Sequence, residues 1–532
     1  MTVLSFLAAC RPDPTPRPRP CDAVSRALFA DGESLAARVE GCGALEAHGV
    51  EALGTGPLTV SLYADGAQVV ARVVAGGAAT LDGLRLEGTF EVDGRAPGLG
   101  HALSLAGEPA APPGPTVAGA WAGSWGRADG GTLVTGTLGG GVPVEVEIAD
   151  GAFSVTWGGD LGLSLEAGED WWFDPWYAAL GPSEPTWRDW ADAVGDAAGG
   201  PRGALLPGGL ELAGPPDVDG VPALADDAPG AELVTMGGWP STPGEPADDP
   251  VSPAAWARAV HAAGRRAGIV VAPFAVARSG SVASAHPEWL VRAGDDPLEV
   301  DGAWQLDPTD PGAAAWVASW VGEELGGFDV VVVSGLAGVG APGTRDGARV
   351  GSDAVRAALA VVRGASPDAL LVADGAPLLT VVGHADAARI PPDPADRDGW
   401  ISAVASALPL GPHLALDPAP LDLSGGSPAE AGGLVAAAAL AGPVRVRVRQ
   451  TVDAQSRRAT SDPFGALGAA RSAVLVEGWW GRGDAPTHVV LLAPADRPIA
   501  VAGPGGREAW TGEQARPGDR ELAPSTGEVW LP

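Results

Sequence analysis

At 532 residues, with 66 acidic against 33 basic side chains, the chain is too long for one ordinary core. Its net charge of −33 argues against nucleic acid, whose phosphates need a face of clustered Lys and Arg. Lysine and asparagine are absent while glycine, alanine and proline abound, which reads as a GC-rich genome, and the acidity reads as a solubilising surface.

The first elements are not globular. Val3 to Ala9 is mostly apolar and runs into Leu7-Ala8-Ala9-Cys10, which resembles the lipobox of bacterial lipoproteins, with the Cys10 thiol as the lipid acceptor. Arg11 to Pro20 alternates prolines and reads as an extended tether. With Cys10 acylated, Cys21 and Cys42 remain as an even pair in an oxidising compartment, and a disulfide is expected between them. Three cysteines at these spacings offer no zinc site, so no metal and no cofactor are expected. The expected location is the bacterial cell envelope, with membrane contact through the lipid alone.

From Leu58 to Trp157 short alternating runs are separated by Asp-Gly turns, as in Leu58 to Tyr63, Gln68 to Val74, Val144 to Ile148 and Phe153 to Trp157. Period-two alternation with such turns predicts hairpins, and many of them without a helix predict a β-sandwich. The aromatic run Trp171, Trp172, Phe173, Trp176, Tyr177, Trp187 and Trp190 reads as packing between domains. From about Leu205 the texture changes. Strands are expected at Leu233 to Met236, Gly268 to Phe274, Phe328 to Ser334 and Ala369 to Asp374. Helices are expected at about Pro253 to Ala267, Ala313 to Leu325 and Ala354 to Gly364. Apolar strands alternating with helices indicate βα units, and their repetition suits a (β/α)₈ TIM barrel. Beyond about Ala473 short strands return, at Ser472 to Glu477, Thr487 to Leu492 and Glu528 to Leu531. The expected organisation is therefore α/β: signal and tether over 1–21, N-terminal β-sandwich over 22–181, TIM barrel over 182–465 and a small C-terminal β-sandwich over 466–532.

Several segments, in order, carry a more specific signal: Gly264 to Phe274 ending in Ala-Pro-Phe, His286-Pro-Glu-Trp-Leu290, Leu306-Asp-Pro-Thr-Asp-Pro311, Gly327-Phe-Asp329, Asp374-Gly-Ala-Pro-Leu378, Gly383 to Asp393 and Ala509-Trp-Thr-Gly-Glu513. Together they resemble the family 36 α-galactosidases of clan D, over a barrel running roughly from Glu232 to Leu423. The resemblance implies a retaining glycosidase, which places a nucleophile and an acid/base carboxyl about 5 Å apart. It puts a Lys-x-Asp at the end of the fourth strand, where this chain has Val332-Val333-Ser334, so Ser334 occupies the nucleophile position. It reads Asp-Asp-Gly-Trp at an early strand end, where this chain has Met236-Gly237-Gly238-Trp239. The acid/base position is matched by Asp393, four residues after Arg389. Asp374 stands where the family has a cysteine, either as a relocated carboxylate or as a turn-forming Asp before Gly.

Of the remaining polar residues, Asp329 reads as a turn or cap, Asp307 as structural, His286 as a packed loop histidine, and Arg389 with Asp386 as a possible surface ion pair. The resemblance, weighed with its missing aspartates, implies a glycan-binding or structural homologue, with Trp239, Arg389 and Asp393 as the candidate glycan site. The alternatives are an active glycoside hydrolase with relocated carboxylates and an envelope scaffold that binds no sugar.

Overall fold

Leu58–Asp65 and Gln68–Ala75 pair antiparallel in the register that the alternation predicts, burying Val60, Leu62, Ala71 and Val73 on one face. In this computed structural model the described residues are, in the main, 45–90, 132–199, 206–245, 252–390 and 413–424, with shorter segments elsewhere. Cys10, Cys21, Cys42 and Asp393 lie outside them. The chain divides into two compact units. One is Pro12–Pro201 with Pro377–Val382; the other holds Arg202–Ala376 and Gly383–Pro532, together with Met1–Arg11.

The first unit contains two antiparallel sheets. One has eight strands, among them the hairpin above and the strands Thr132–Thr137 and Trp176–Gly181; the other has five, including Ala79–Phe90 and Ala152–Leu165. Part of the aromatic run packs inside this unit, while Trp172 stays half-exposed. Trp157 meets the edge of Trp176 at 5.5 Å and lies 6.4 Å from Phe173. Trp190, on the helix Ser183–Ala197, is fully buried and donates its indole N–H to the Thr137 carbonyl at 3.2 Å. That helix therefore clusters with the sheets, and the barrel's unit begins only after it.

The second unit is organised by eight parallel strands: β1 (Gly209–Leu212), β2 (Leu233–Met236), β3 (Arg266–Val271), β4 (Val330–Val333), β5 (Leu370–Ala373), β6 (Ala387–Ile390), β7 (Ala415–Pro418) and β8 (Arg445–Val448). They pair in the order β7-β6-β5-β4-β3-β2-β1-β8, and a parallel bridge from Leu421 to Val446 brings the chain after β7 back to β8, curling the sheet into a TIM-barrel-like closure. Both faces of the strands are covered, so the alternation seen in the sandwich gives way to unbroken apolar runs such as Val330–Val333, buried throughout.

The helices begin and end for local reasons. α1 (Pro253–Ala262) starts on Ser252, whose hydroxyl accepts the Ala255 N–H, with Pro253 fixing the first turn. It ends five residues before the expected Ala267. Gly264 takes φ +73°, and bonds from Gly264 N–H to the His261 carbonyl and from Arg265 N–H to the Val260 carbonyl close the end, freeing Arg266 to start β3. α2 (Pro311–Leu325) is capped by Asp310, which accepts the Ala313 N–H at 2.8 Å. α3 (Gly351–Ala365) buries Ala354, Val355, Ala358, Leu359 and Val362, one apolar stripe at helical spacing. Past β8, short antiparallel pairs follow, including Val489–Leu492 with Gly527–Leu531 and Ile499–Gly503 with Gly518–Leu522.

Candidate functional site

The inward positions of the barrel are read from strand parity. Leu233, Val330, Val332, Val372, Ala387 and Ala415 form one apolar cluster with Leu206. Two residues further along several of these strands the inward positions turn polar: Glu211 on β1, Thr235 on β2, Arg389 on β6 and Asp417 on β7, with Ser334 and Asp374 just past the ends of β4 and β5. Arg445 and Arg447 supply the same parity on β8. The C-terminal end of a parallel barrel is where catalytic and binding groups stand, and here that end carries a layer of charge above an apolar floor.

Arg389 is the centre of that layer. Its Nε donates to Asp417 at 3.0 Å, Nη2 to Glu211 at 2.9 Å and Nη1 to Asp374 at 3.3 Å, with the side chain only 6% exposed. Asp417 gives its second oxygen to Arg445, and Glu211 gives its second oxygen to Arg447 at 3.1 Å. The result is a chain of alternating charge, Arg445–Asp417–Arg389–Glu211–Arg447, with Asp374 as a branch. Burial opposes the charge of Arg389, but Asp417, Glu211 and Asp374 outweigh it and hold the guanidinium above its usual range. Burial also pushes Glu211 up, and Arg389, Arg445 and Arg447 reverse that, leaving its pKa below the usual carboxylate range. Asp374 goes the other way. Burial raises it, Arg389 compensates only in part, and the charges of Asp417 and Glu211 add to the rise.

The residues singled out from sequence separate into groups. Asp374 and Arg389 meet, and Ser334 stands beside them at the end of the neighbouring strand β4. The Ser334 hydroxyl donates to the Val271 carbonyl at 3.0 Å, the same carbonyl that takes its backbone N–H at 2.8 Å. Trp239 is 2% exposed and packs 6.0 Å from Trp320 of α2, so its ring faces protein. At Gly237 a Cβ would fall 2.5 Å from the Leu212 carbonyl, which leaves no room for a side chain there. Val332 belongs to the apolar floor.

The pairing considered for Arg389 and Asp386 does not form. Asp386 points the other way along its strand, onto Arg363 and the Leu371 N–H. Asp329 accepts the Ala267 N–H at 2.7 Å and meets His261 at 2.9 Å, a connector between β3 and β4. Asp307 accepts the N–H and the hydroxyl of Thr309 within its own turn, and His286 stacks on Trp289 at 3.7 Å. Among the described residues no group of His, Cys, Asp and Glu could hold a metal ion, and no helix is long and apolar enough to cross a membrane.

Four members of the charged layer, Glu211, Asp417, Arg445 and Arg447, were not singled out from the sequence. Their signal was present: single charges at alternate positions of otherwise apolar runs, as in Gly209-Leu-Glu-Leu212 and Arg445-Val-Arg-Val448. A charge in a strand buried on both faces must find a partner, and the partners come from strands far apart in the chain.

An eight-stranded parallel barrel joined in one chain to N-terminal antiparallel sheets is the layout of a class of glycoside hydrolases, and solved structures make the likeness particular. No family model matches the chain, and no curated protein matches it. The chain is similar to the α-galactosidase TtGalA from Thermus thermophilus, solved with stachyose: 21% identity, a TM-score of 0.55, and coverage of 77% of this chain and 98% of that one. It is similar to a variant of the family 36 α-galactosidase AgaA from Geobacillus stearothermophilus, solved with raffinose, at 12% identity and a TM-score of 0.56, over 96% of this chain and 87% of that one. The galactosidase domain of the α-galactosidase-sucrose kinase AgaSK gives 13% identity and a TM-score of 0.57, over 96% and 85%. The fold is that of the family 36 α-galactosidases, at low identity.

Two outcomes test the charged layer. Arg389→Met removes the common partner of three carboxylates and should cost about 3–5 kcal/mol in denaturant unfolding, because charges are left buried without compensation. For Asp374 the sign follows from its raised pKa. Between the ordinary aspartate value of about 3.9 and the raised one, the folded chain binds more protons than the unfolded chain, so this group's contribution to stability falls as pH rises through that window. Asp374→Asn should therefore gain on the native protein as pH rises there, read from the two melting temperatures against pH.

Proposed function

We propose that this chain is a glycan-binding protein built on an α-galactosidase-type barrel, held at a bacterial envelope by lipid on Cys10, and that it does not hydrolyse its ligand. The observation that carries the reading is Ser334. The motifs that resemble the family imply a nucleophile position at Ser334, which follows β4 and whose hydroxyl is spent on the Val271 carbonyl. A serine hydroxyl without a general base is a weak nucleophile, and it supplies no negative charge to an oxocarbenium-like transition state. The carboxylates of Glu211 and Asp417 are each shared between two guanidiniums. A carboxylate bonded to two guanidiniums is not free to attack, since reaching an anomeric carbon would require breaking both pairs.

One observation favours the rival reading of an active hydrolase. Asp374 follows β5 directly, has a side chain 26% exposed, and has a pKa raised by burial, the condition of a general acid. It lacks a free carboxylate partner among the described residues, so it supports proton donation and sugar binding better than a two-step displacement.

Aryl α-galactosides relieve the demand for acid catalysis but not for a nucleophile, so they are the fair substrates. The native chain should leave them intact while binding saccharide in calorimetry, and robust turnover would overturn the proposal. Ser334→Asp should also stay inactive, since Val332 is part of the apolar floor and Gly237 has no space for a sugar-gripping side chain. The envelope placement has its own test, mass spectrometry of the mature protein. It should find lipid on Cys10 and a Cys21–Cys42 disulfide, and free thiols at both Cys21 and Cys42 would assign the chain to a reducing compartment.

A further inference from the structure

The charged layer is balanced in number, three guanidiniums against three carboxylates, but not in position. Arg389 and Arg445 are buried within it, at 6% and 1% exposure, whereas Arg447 is 44% exposed. Arg447 sits on β8 in register with Glu211 on β1, and its Nη2 makes one bond to that carboxylate. Glu211 is already engaged by Arg389. The third carboxylate, Asp374, bonds Arg389 and not Arg447, and burial disfavours its charge. Arg447 is thus a guanidinium with five N–H donors, one carboxylate bond to an anion that it shares, and nearly half its side chain open at the C-terminal end of the barrel.

Among the described residues at this end, the groups with capacity to spare include the N–H donors of Arg447 and one oxygen of Asp374, whose charge burial disfavours. A neutral pyranose presents hydroxyls, each of which donates one hydrogen bond and accepts others, so its site needs acceptors as well as donors. Here Glu211 and Asp417 are each committed to two guanidiniums, and the Ser334 hydroxyl to a backbone carbonyl. An acceptor-only group on the ligand meets the opposite situation, because the unused N–H groups of Arg447 form a planar fork that matches a carboxylate.

We propose that the barrel mouth takes a saccharide bearing a carboxylate, a uronic acid residue, and that Arg447 is the residue that selects it. The inference rests on the glycan-binding reading above and narrows it to a substrate class. Methyl α-D-galacturonide and methyl α-D-galactoside share every ring substituent except the one at C6, so their affinities for the full chain isolate the carboxylate. Calorimetry at low salt should show the uronide bound at least about tenfold more tightly, with the preference shrinking as salt rises, since the discriminating contact is ionic. Arg447→Gln, whose amide can still reach Glu211, should abolish the preference, and Arg447→Lys, which keeps a charge beside Glu211, should keep part of it. The salt dependence of the native protein tests the proposal even if the variants do not fold. Equal affinities, or a preference for the galactoside, would overturn the uronide inference and leave the glycan-binding reading standing. Binding of neither would sink both. Galactose 6-sulfate bound as well as the uronide would overturn the selection of a carboxylate in favour of any anion.

Discussion

Arg389 is the interaction on which the barrel's upper half depends. One guanidinium on β6 holds carboxylates from β1, β5 and β7, and through Glu211 and Asp417 it reaches the two arginines of β8. Taking such charges out of water costs several kcal/mol per ion, and the cost is offset only when geometry is good and each charge has an opposite neighbour. Alternation of sign around the layer meets that condition. It also spans the seam where the barrel closes, because β7 and β8 are joined there by a single backbone bridge at Leu421 and Val446 while Asp417 and Arg445 pair across the same gap.

The same arrangement limits what the mouth can do. A retaining mechanism needs one carboxylate free to attack and another free to exchange a proton. In this layer Glu211 and Asp417 are each bonded to two guanidiniums, whereas Asp374 keeps a partly exposed side chain and a raised pKa. Below the layer, Val332 and its neighbours leave an apolar floor with no polar group. Among the described residues, the open guanidinium of Arg447 and the part-exposed Asp374 are the charged groups of the layer that a ligand could reach.

Local patterns in the sequence were enough for the elements and their order. Alternation placed the hairpin Leu58–Asp65 with Gln68–Ala75, and unbroken apolar runs placed β2, β4 and β5 to within a residue or two. The end of α1 was misplaced because apolar spacing continues through Ala262 and Ala263, whereas the stop is made by one backbone conformation at Gly264. That Phe173, Trp176 and Trp190 pack within the N-terminal unit was not legible, since it depends on where Trp157 and Thr137 return in the fold.

By itself the sequence determined a parallel αβ repeat, a strand end at Ser334 and a carboxylate at Asp374, because periodicity and turn chemistry act over a few residues. Only the tertiary structure decided which of its charges belong together. Glu211, Asp374, Arg389, Asp417 and Arg447 are spread over more than two hundred positions, and their partnership exists because the strands curl until the inward residues at their C-terminal ends face one another. Electrostatic pairing in a buried layer is fixed by distance in space and by the cost of leaving a charge unpaired, and neither is written in the neighbours along the chain.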